Sequence, residues 1–180
     1  MANNRIDDFK AKLAGGGARS NLFRVTCNFP DFADGDSDKA SFMIKTAALP
    51  SSLIANITIP FRGRQLQVAG DRAFEPWAIT VINDTDFDLR NAFERWMDGI
   101  NAHRENTGLA NPDEYNQDLL VDQLDKEGNV IKQYVFRGCW PSSVSAIDVS
   151  YDAENTIEEF GVEFQITYWE SNTTDQGVTA

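Results

Sequence analysis

The run from Ile157 to Trp169, IEEFGVEFQITYW, alternates with a period of two over almost its whole length. Phe160, Val162, Phe164, Ile166 and Tyr168 fall on one face, and Glu159, Gly161, Glu163, Gln165 and Thr167 on the other. Successive side chains of a strand point to opposite sides, so the segment predicts a strand with one dry and one wet face. Other segments carry the same signal. In NLFRVTCNF, Phe23, Val25, Cys27 and Phe29 share a face. SFMIKTAALP predicts a strand closed by Pro50, and PWAITVIN another. DLLVDQLD and NVIKQYVFRG flank Lys126-Glu127-Gly128-Asn129, a hairpin signal, and SVSAIDVSY adds a further strand.

Two segments carry a helical pattern instead. RIDDFKAKL (residues 5–13) spaces Ile6, Phe9 and Leu13 as a short amphipathic helix, ended by a hinge at Gly15, Gly16 and Gly17. A longer helix follows PWAITVIN, with Thr85 or Asp86 as its cap and Leu89, Phe93, Trp96, Met97 and Ile100 as the stripe facing the sheet. Residues 30–39, PDFADGDSDK, read as a solvated acidic loop, because their carboxylates lack the spacing and closing glutamate of a calcium loop. The expected fold class is mainly β (α+β): an antiparallel β-barrel or sandwich with one packed α-helix and a short N-terminal helix. One domain is expected over 1–180, with helix and hinge in 1–18 and a polar tail over 171–180.

Charge narrows the functional classes. Twenty-eight carboxylates against sixteen lysines and arginines give a formal net charge of −12. Affinity for nucleic acid comes mostly from neutralising phosphates, so general binding is disfavoured, whereas a wall that DNA must not stick to suits such a surface. Against this acidity, ITIPFRGRQLQVAGDRAFEPW (57–77) concentrates Arg62, Arg64 and Arg72. It alternates through Ile57, Ile59, Phe61 and then Leu66 and Val68, like a strand pair. Pro60 cannot donate to a ladder, which makes the segment an edge strand or a bend, and a free edge invites another chain. With no nucleophile, metal ligand or phosphate cradle in it, the segment reads as an assembly surface. Gly70-Asp71-Arg72 has a second reading, an intrachain turn held by its own salt bridge.

Nothing in the chain points to catalysis. The sole histidine, His103, lies in a polar stretch and is expected on the surface. Cys27 and Cys139 sit in apolar patterns without zinc-ligand spacing and are expected as buried reduced thiols. Glu159 and Glu163 on one strand face stand about 13 Å apart, too far for a glycosidase pair. No nucleophile elbow, dinucleotide fingerprint or phosphate loop is present. No catalytic, cofactor or metal site is therefore expected. No signal peptide and no membrane anchoring are expected, since MANNRIDDFKAKL has no apolar core and no apolar run approaches roughly 20 residues.

In order along the chain come Asn21-Leu22-Phe23, Ala48-Leu49-Pro50, Ile59-Pro60-Phe61, Val68-Ala69-Gly70-Asp71-Arg72, Phe74 and Trp77. Thr80-Val81, Asn83-Asp84, Phe93, Trp96, Gly138, Trp140-Pro141, Phe160 and Tyr168-Trp169-Glu170 follow. In this set and order the chain resembles the tail tube proteins of contractile-tailed, myovirus-type bacteriophages, from about Asn21 to Glu170. It departs from them in the acidic 30–39 segment and beyond Glu170. The resemblance implies a structural subunit, not an enzyme, whose sheet closes into a larger barrel across the copies of a hexameric ring. Stacked rings would form the tube of the virion tail, assembled in the host cytoplasm. Implied partners are further copies, the tail sheath, baseplate and tail-terminator proteins, the tape-measure protein, and viral DNA in transit without specific binding. Ile59, Phe61, Arg62, Arg64, Gln65, Asp71 and Arg72 are the expected inter-subunit contacts, and Glu159, Glu163, Gln165 and Thr167 the expected polar or lumen face. Two other readings remain open: the tube of a related secretion system or bacteriocin, and a monomeric β-sandwich binding module, which would display an exposed aromatic platform.

Overall fold

The computed structural model describes residues 6–174. In chain order it comprises helix α1 (Ile6–Lys12), strand β1 (Phe23–Cys27), helix α2 (Ser37–Met43) and strands β2 (Ile44–Ala47), β3 (Leu53–Phe61), β4 (Arg64–Ala73) and β5 (Trp77–Ile82). Helices α3 (Asp88–Ile100) and α4 (Pro112–Tyr115) follow, then strands β6 (Gln117–Leu124), β7 (Val130–Val144), β8 (Glu159–Gln165) and β9 (Tyr168–Ser171). The main sheet runs β1-β6-β7-β8-β5-β2, with β9 also on β7 and β3–β4 as a separate pair. Every pairing is antiparallel. The sheet does not close within the chain; β1 and β2 stand at its two ends.

The 15-residue β7 is the spine. Its first part pairs with β6 and β9, and its last part with β8. Between them Gly138 adopts φ +61°, a region that only glycine enters freely, and it turns the strand from one half of the sheet into the other. A Cβ there would lie 2.7 Å from the Thr167 hydroxyl. The alternating run 157–169 follows this bend. Arg137 faces Tyr168 and Trp140 faces Gln165, so β8 and β9 keep one register along β7. Ile166 and Thr167 interrupt them, and the Thr167 N–H donates to the Arg137 carbonyl at 3.0 Å. Phe160, Val162 and Phe164 are buried as the alternation predicts. Past the bend Ile166 is only half-buried, and Tyr168, expected on the dry face, is exposed.

The two halves of the sheet meet through aromatic side chains. Trp77 of β5 stacks on Phe136 of β7 with centroids 4.5 Å apart and lies 5.7 Å from Phe164 of β8. Its indole N–H escapes the apolar core by donating to the Ala48 carbonyl at 2.7 Å. Helix α3 buries Leu89, Phe93 and Trp96 of the expected stripe together with Ala92, while Met97 and Ile100 are half-buried. Phe93 sits 6.2 Å from Phe160, 6.0 Å from Phe164 and 5.1 Å from Phe29, which fastens helix to sheet. Such pairs contribute about 0.5–1.5 kcal/mol each beyond their buried area. Cys27 and Cys139 are free thiols within this core.

Several expectations give way to local chemistry. Residues 30–39 are not simply a loop: Asp31–Ala33 form a 3₁₀ turn, and the Asp36 carboxylate accepts from the Asp38 and Lys39 N–H groups to start α2. Ser41 to Met43 therefore end a helix, and the strand expected across SFMIKTAALP begins only at Ile44. Neither Thr85 nor Asp86 caps α3. Phe87 occupies that position in a left-handed conformation with no side-chain cap, while Asp88 in the first turn faces the positive end of the helix dipole. Of SVSAIDVSY only the beginning is strand, since β7 ends at Val144 and 145–150 have no regular structure. α1 forms, but its stripe is unused within the chain: Ile6, Phe9 and Leu13 are all exposed. Of the polar tail expected over 171–180, Ser171 closes β9, 172–174 form a turn, and 175–180 lie outside the described residues.

Candidate assembly surfaces

β3 and β4 form the hairpin expected from the alternation, and its turn explains its sharpness. Arg62 and Gly63 have φ of +47° and +81°, the two positive values of a type I′ turn, whose twist matches the flanking strands. Phe61 faces Arg64, Ile59 faces Leu66 and Ile57 faces Val68, so these side chains share one face. The opposite face carries Thr58 against Gln67 and Pro60 against Gln65. There the Asn56 amide and Thr58 hydroxyl both donate to the Gln67 side-chain oxygen, at 2.6 and 2.8 Å. Pro60 is thus accommodated inside a strand because a two-stranded sheet has only edges.

The hairpin buries neither face against the rest of the chain. Ile57, Ile59, Phe61, Leu66 and Val68 remain 41–66% exposed. Its root is anchored: the Trp169 indole donates to the Ser51 carbonyl at 3.0 Å, the Arg72 guanidinium to the Ser52 hydroxyl at 2.6 Å, and Ser51 bonds the Glu75 carboxylate. Among the described residues, Arg62, Arg64 and Arg72 form no ion pair with any carboxylate. Arg62 instead lies over the Phe61 ring, 5.3 Å from its centroid. Gly70-Asp71-Arg72 is not a salt-bridged turn. It lies in β4 opposite a register shift, where Ala55 and Ile57 pack against Gly70. All seven residues predicted as inter-subunit contacts, Ile59, Phe61, Arg62, Arg64, Gln65, Asp71 and Arg72, thus stand on one exposed projection.

The predicted polar face holds together less well. Glu159, Glu163 and Gln165 alternate outward along β8, facing Ile82, Ala78 and Trp140 of the neighbouring strands. Thr167 leaves that face because it lies in the interruption before β9. Glu159 is also neutralised, 2.6 Å from the Lys45 ammonium. The two polar nodes that pattern reading missed are both long-range. Arg137 bridges Asp118 at 2.5 Å and Glu170 at 3.3 Å, and the Asp118 hydrogen bond chiefly raises the guanidinium pKa above its ordinary value. Lys39 reaches Asp84 and Asp88 from α2; their hydrogen bonds hold its pKa above the usual lysine value and hold that of Asp84 below the usual carboxylate value. Asp84, Asp86 and Asp88 approach one another within 4.8 Å, with the Lys39 ammonium already among them.

His103 is on the surface, its Nδ1 2.9 Å from an Asp98 oxygen. Burial pushes both thiols up, Cys139 to about 12, which makes them poor nucleophiles. Among the described residues no helix is long and apolar enough to cross a membrane. A second unburied apolar surface lies in the segment between β7 and β8, where Val149, Tyr151 and Ile157 are exposed. Its turn formers, Ser150, Asp152 and Asn155, interrupt the apolar residues and were the available signal against a strand there.

A sheet sealed on one side by a helix, with an apolar hairpin left outside it, is the architecture of a structural subunit made to assemble. The family model described as "Phage tail tube protein" matches residues 18–172. The chain belongs to the phage tail tube protein family. It is 32% identical over 168 residues to "Tail tube protein gp19" of Enterobacteria phage T4, covering 92% of this chain and 99% of that relative. It is also 32% identical over 159 residues to the "Tail tube protein" of Serratia phage KSP90, covering 86% and 90%. Solved structures share the fold at low identity. A chain of the anti-feeding prophage baseplate superposes with a TM-score of 0.63 at 13% identity, covering 86% of this chain and 95% of that one. A chain of the PVC sheath/tube terminator in the extended state does so with 0.62 at 11%, covering 86% and 96%.

Proposed function

We propose that this chain is the non-enzymatic building block of a contractile phage tail tube. Six copies close a ring, rings stack, and the resulting conduit carries viral DNA inside a sheath. The observation that supports this most is the β3–β4 hairpin, whose apolar face stays exposed and whose three arginines, among the described residues, meet no carboxylate. Burying such a face is worth roughly 25 cal/mol per Å², a driving force that requires another copy. Ile59, Phe61, Arg62, Arg64, Gln65, Asp71 and Arg72 form inter-subunit contacts, and the open edges at β1 and β2 let the sheet continue into neighbours. The outward face of β8, with Glu159, Glu163 and Gln165, lines the lumen, and Thr167, off that face in the interruption before β9, borders it; like charge there keeps DNA from adhering. Sheath, baseplate, terminator and tape-measure proteins are the partners, and the tube is built in the host cytoplasm before it becomes part of the virion.

Electron microscopy of the purified protein, alone and with its baseplate, tests this reading. Six-fold rings or long tubes are expected. A species that stays monomeric under both conditions overturns it. DNA passage is tested separately, by replacing Glu163 with lysine: slower genome release is expected, and unchanged ejection kinetics refute the lumen assignment.

A further inference from the structure

Helix α1 has seven residues, none of them buried. Isolated helices shorter than about 12–15 residues are marginal in water, so α1 calls for a partner to pack against. At about 3.6 residues per turn, Ile6, Phe9 and Leu13 form one stripe, Lys10 and Lys12 flank it on its two sides, and Asp7 and Asp8 fall towards the back. The face that carries the apolar stripe is therefore basic, in a chain of net charge −12. Ile6 and Phe9 are 69% and 64% exposed. Among the described residues, Lys10 and Lys12 meet no carboxylate.

The segment 145–158, SAIDVSYDAENTIE, has the complementary character. It holds Asp148, Asp152, Glu154 and Glu158 and no lysine or arginine. Asp148, Asp152 and Glu154 are exposed and, among the described residues, unpaired. The segment folds around a concavity of about 530 Å³ lined by Ile147, Val149, Ala153 and Ile157 beside Asp148. A dry cavity of about 150 Å³ holds a benzene ring, so this one has room for the Phe9 ring and an aliphatic neighbour.

Within one chain α1 falls short of that concavity. It leads into Phe23, which faces Gln123 at the end of β6 where β7 begins. The segment 145–158 leaves β7 at its other end, after Val144. Fourteen steps from Val130 to Val144 at ~3.3 Å each, shortened by the bend at Gly138, put roughly 30–45 Å between the two. Between Leu13 and Phe23 the chain is drawn in by turns, in which the Gly16 and Leu22 N–H groups donate to the Leu13 and Arg19 carbonyls at 3.2 and 3.1 Å. A helix at one end and its complement at the other make a heterologous contact between copies.

We propose that α1 of one subunit docks in the 146–157 concavity of a second copy. Phe9 enters among Ile147, Val149 and Ile157, and Lys10 and Lys12 meet Asp148, Asp152 and Glu154. The docking rests on the tube reading, which supplies the second copy, and it assigns α1 and the β7–β8 segment to each other. A helix laid in a groove takes its affinity from anchors at i, i+3 and i+7, which here are Ile6, Phe9 and Leu13. The lysines select the site, because the apolar face of the hairpin is bordered by arginines that repel them.

Cross-linking and hydrogen exchange of assembled tubes test the docking. Leu13→Cys together with Ala153→Cys should give a ladder of disulfide-linked oligomers on oxidation, and neither single variant should. Amides of residues 6–13 should exchange about tenfold or more slowly in tubes than in free subunits, where α1 packs on nothing. Lys10→Glu with Lys12→Glu, and separately Asp148→Lys with Asp152→Lys, should each abolish that protection or the tubes themselves. Combining all four substitutions should restore both. Urea midpoints of the free subunits should stay unchanged, since all four sites are exposed. Tubes without a ladder, a cross-link confined to the monomer, or α1 exchange as fast in tubes as in free subunits overturn the docking. So does a fourfold variant no better than either pair. Absence of tubes from the wild-type protein with its baseplate refutes the tube reading, and the docking falls with it.

Discussion

Phe61→Ala and Phe93→Ala remove the same side chain from two places, and the structure predicts opposite consequences. Phe93 is fully buried between α3 and β8, and truncating it leaves a cavity amid Phe29, Trp96, Phe160 and Phe164. Such truncations cost about 3–5 kcal/mol, a large share of the roughly 5–15 kcal/mol that holds a domain together. Phe61 is 66% exposed, so it realises about a third of the ~1.5–3 kcal/mol that full burial gives. The Arg62 guanidinium over its ring adds about 0.5–1 kcal/mol, as is usual at exposed sites. Phe61→Ala therefore removes about 1–2 kcal/mol at most, and that loss falls on the hairpin alone. With a urea slope of about 2 kcal/mol/M, the Phe93→Ala midpoint should drop by roughly 2 M and the Phe61→Ala midpoint by under about 1 M. Sedimentation and microscopy of the same samples should show the reverse order for assembly: Phe61→Ala stays folded and fails to form tubes. Two results would refute the reasoning. One is a Phe61→Ala midpoint that falls as far as that of Phe93→Ala; the other is normal tubes from Phe61→Ala.

Other outcomes follow from single sites. Gly138→Ala should destabilise by about 1–2 kcal/mol, because φ +61° is strained for alanine and the new Cβ meets the Thr167 hydroxyl at 2.7 Å; an unchanged denaturation midpoint would contradict the bend assigned to this residue. The Lys39–Asp84–Asp88 clamp predicts an acid limb. Since the Asp84 pKa is lowered by Lys39, its contribution is complete above the ordinary value of 3.8 and is lost as pH falls through the lower folded value. The raised Lys39 pKa makes its share complete below the ordinary value of 10.5 and lost only above it, so Lys39→Met should flatten the acid limb of a stability–pH curve and leave its slope near neutrality alone. Iodoacetamide at pH 8 should leave Cys27 and Cys139 unlabelled in the native protein and label both in urea, as mass spectrometry would show; rapid native labelling would contradict their burial.

What was legible in the sequence is what local periodicity dictates. β8 could be read from Phe160, Val162 and Phe164 because one face of it is dry, and α3 from Leu89, Phe93 and Trp96 for the same reason. The hairpin was legible because alternation and a two-residue turn are both local, and the unusual arginines marked it as a surface. Local reading fails where a distant group decides. Thr167 leaves its strand because Gly138, some thirty residues earlier, bends the neighbouring one. Residues 31–43 hold a 3₁₀ turn and a seven-residue helix because Asp36 caps the helix and Ala33 and Ala40 pack into the core, whereas local pattern favoured a loop over 30–39 and a strand from Ser41. The 145–158 segment deceived for the opposite reason. Its Ile147, Val149 and Tyr151 have strand spacing, but no strand lies beside them.

Among the described residues, ion pairs are confined to the body of the subunit and absent from the hairpin. On the body, Arg24 meets Asp122, Lys39 meets Asp84 and Asp88, Lys45 meets Glu159, Arg90 meets Glu94, and Arg137 meets Asp118 and Glu170. Arg95 spends its guanidinium on the Ala33 and Asp34 carbonyls. These cations hold elements together and leave carboxylates in excess on the surface, so approaching bodies repel. The hairpin reverses the sign locally: Arg62 lies over the Phe61 ring, Arg64 stands opposite Phe61, Arg72 donates to the Ser52 hydroxyl, and among the described residues none of the three meets a carboxylate. An exposed hydrophobic edge would ordinarily be an aggregation hazard. On the proposed tube reading, a repulsive body leaves the positive tip as the surface at which a further copy can approach, so the same charge imbalance opposes the indiscriminate association that such an edge invites.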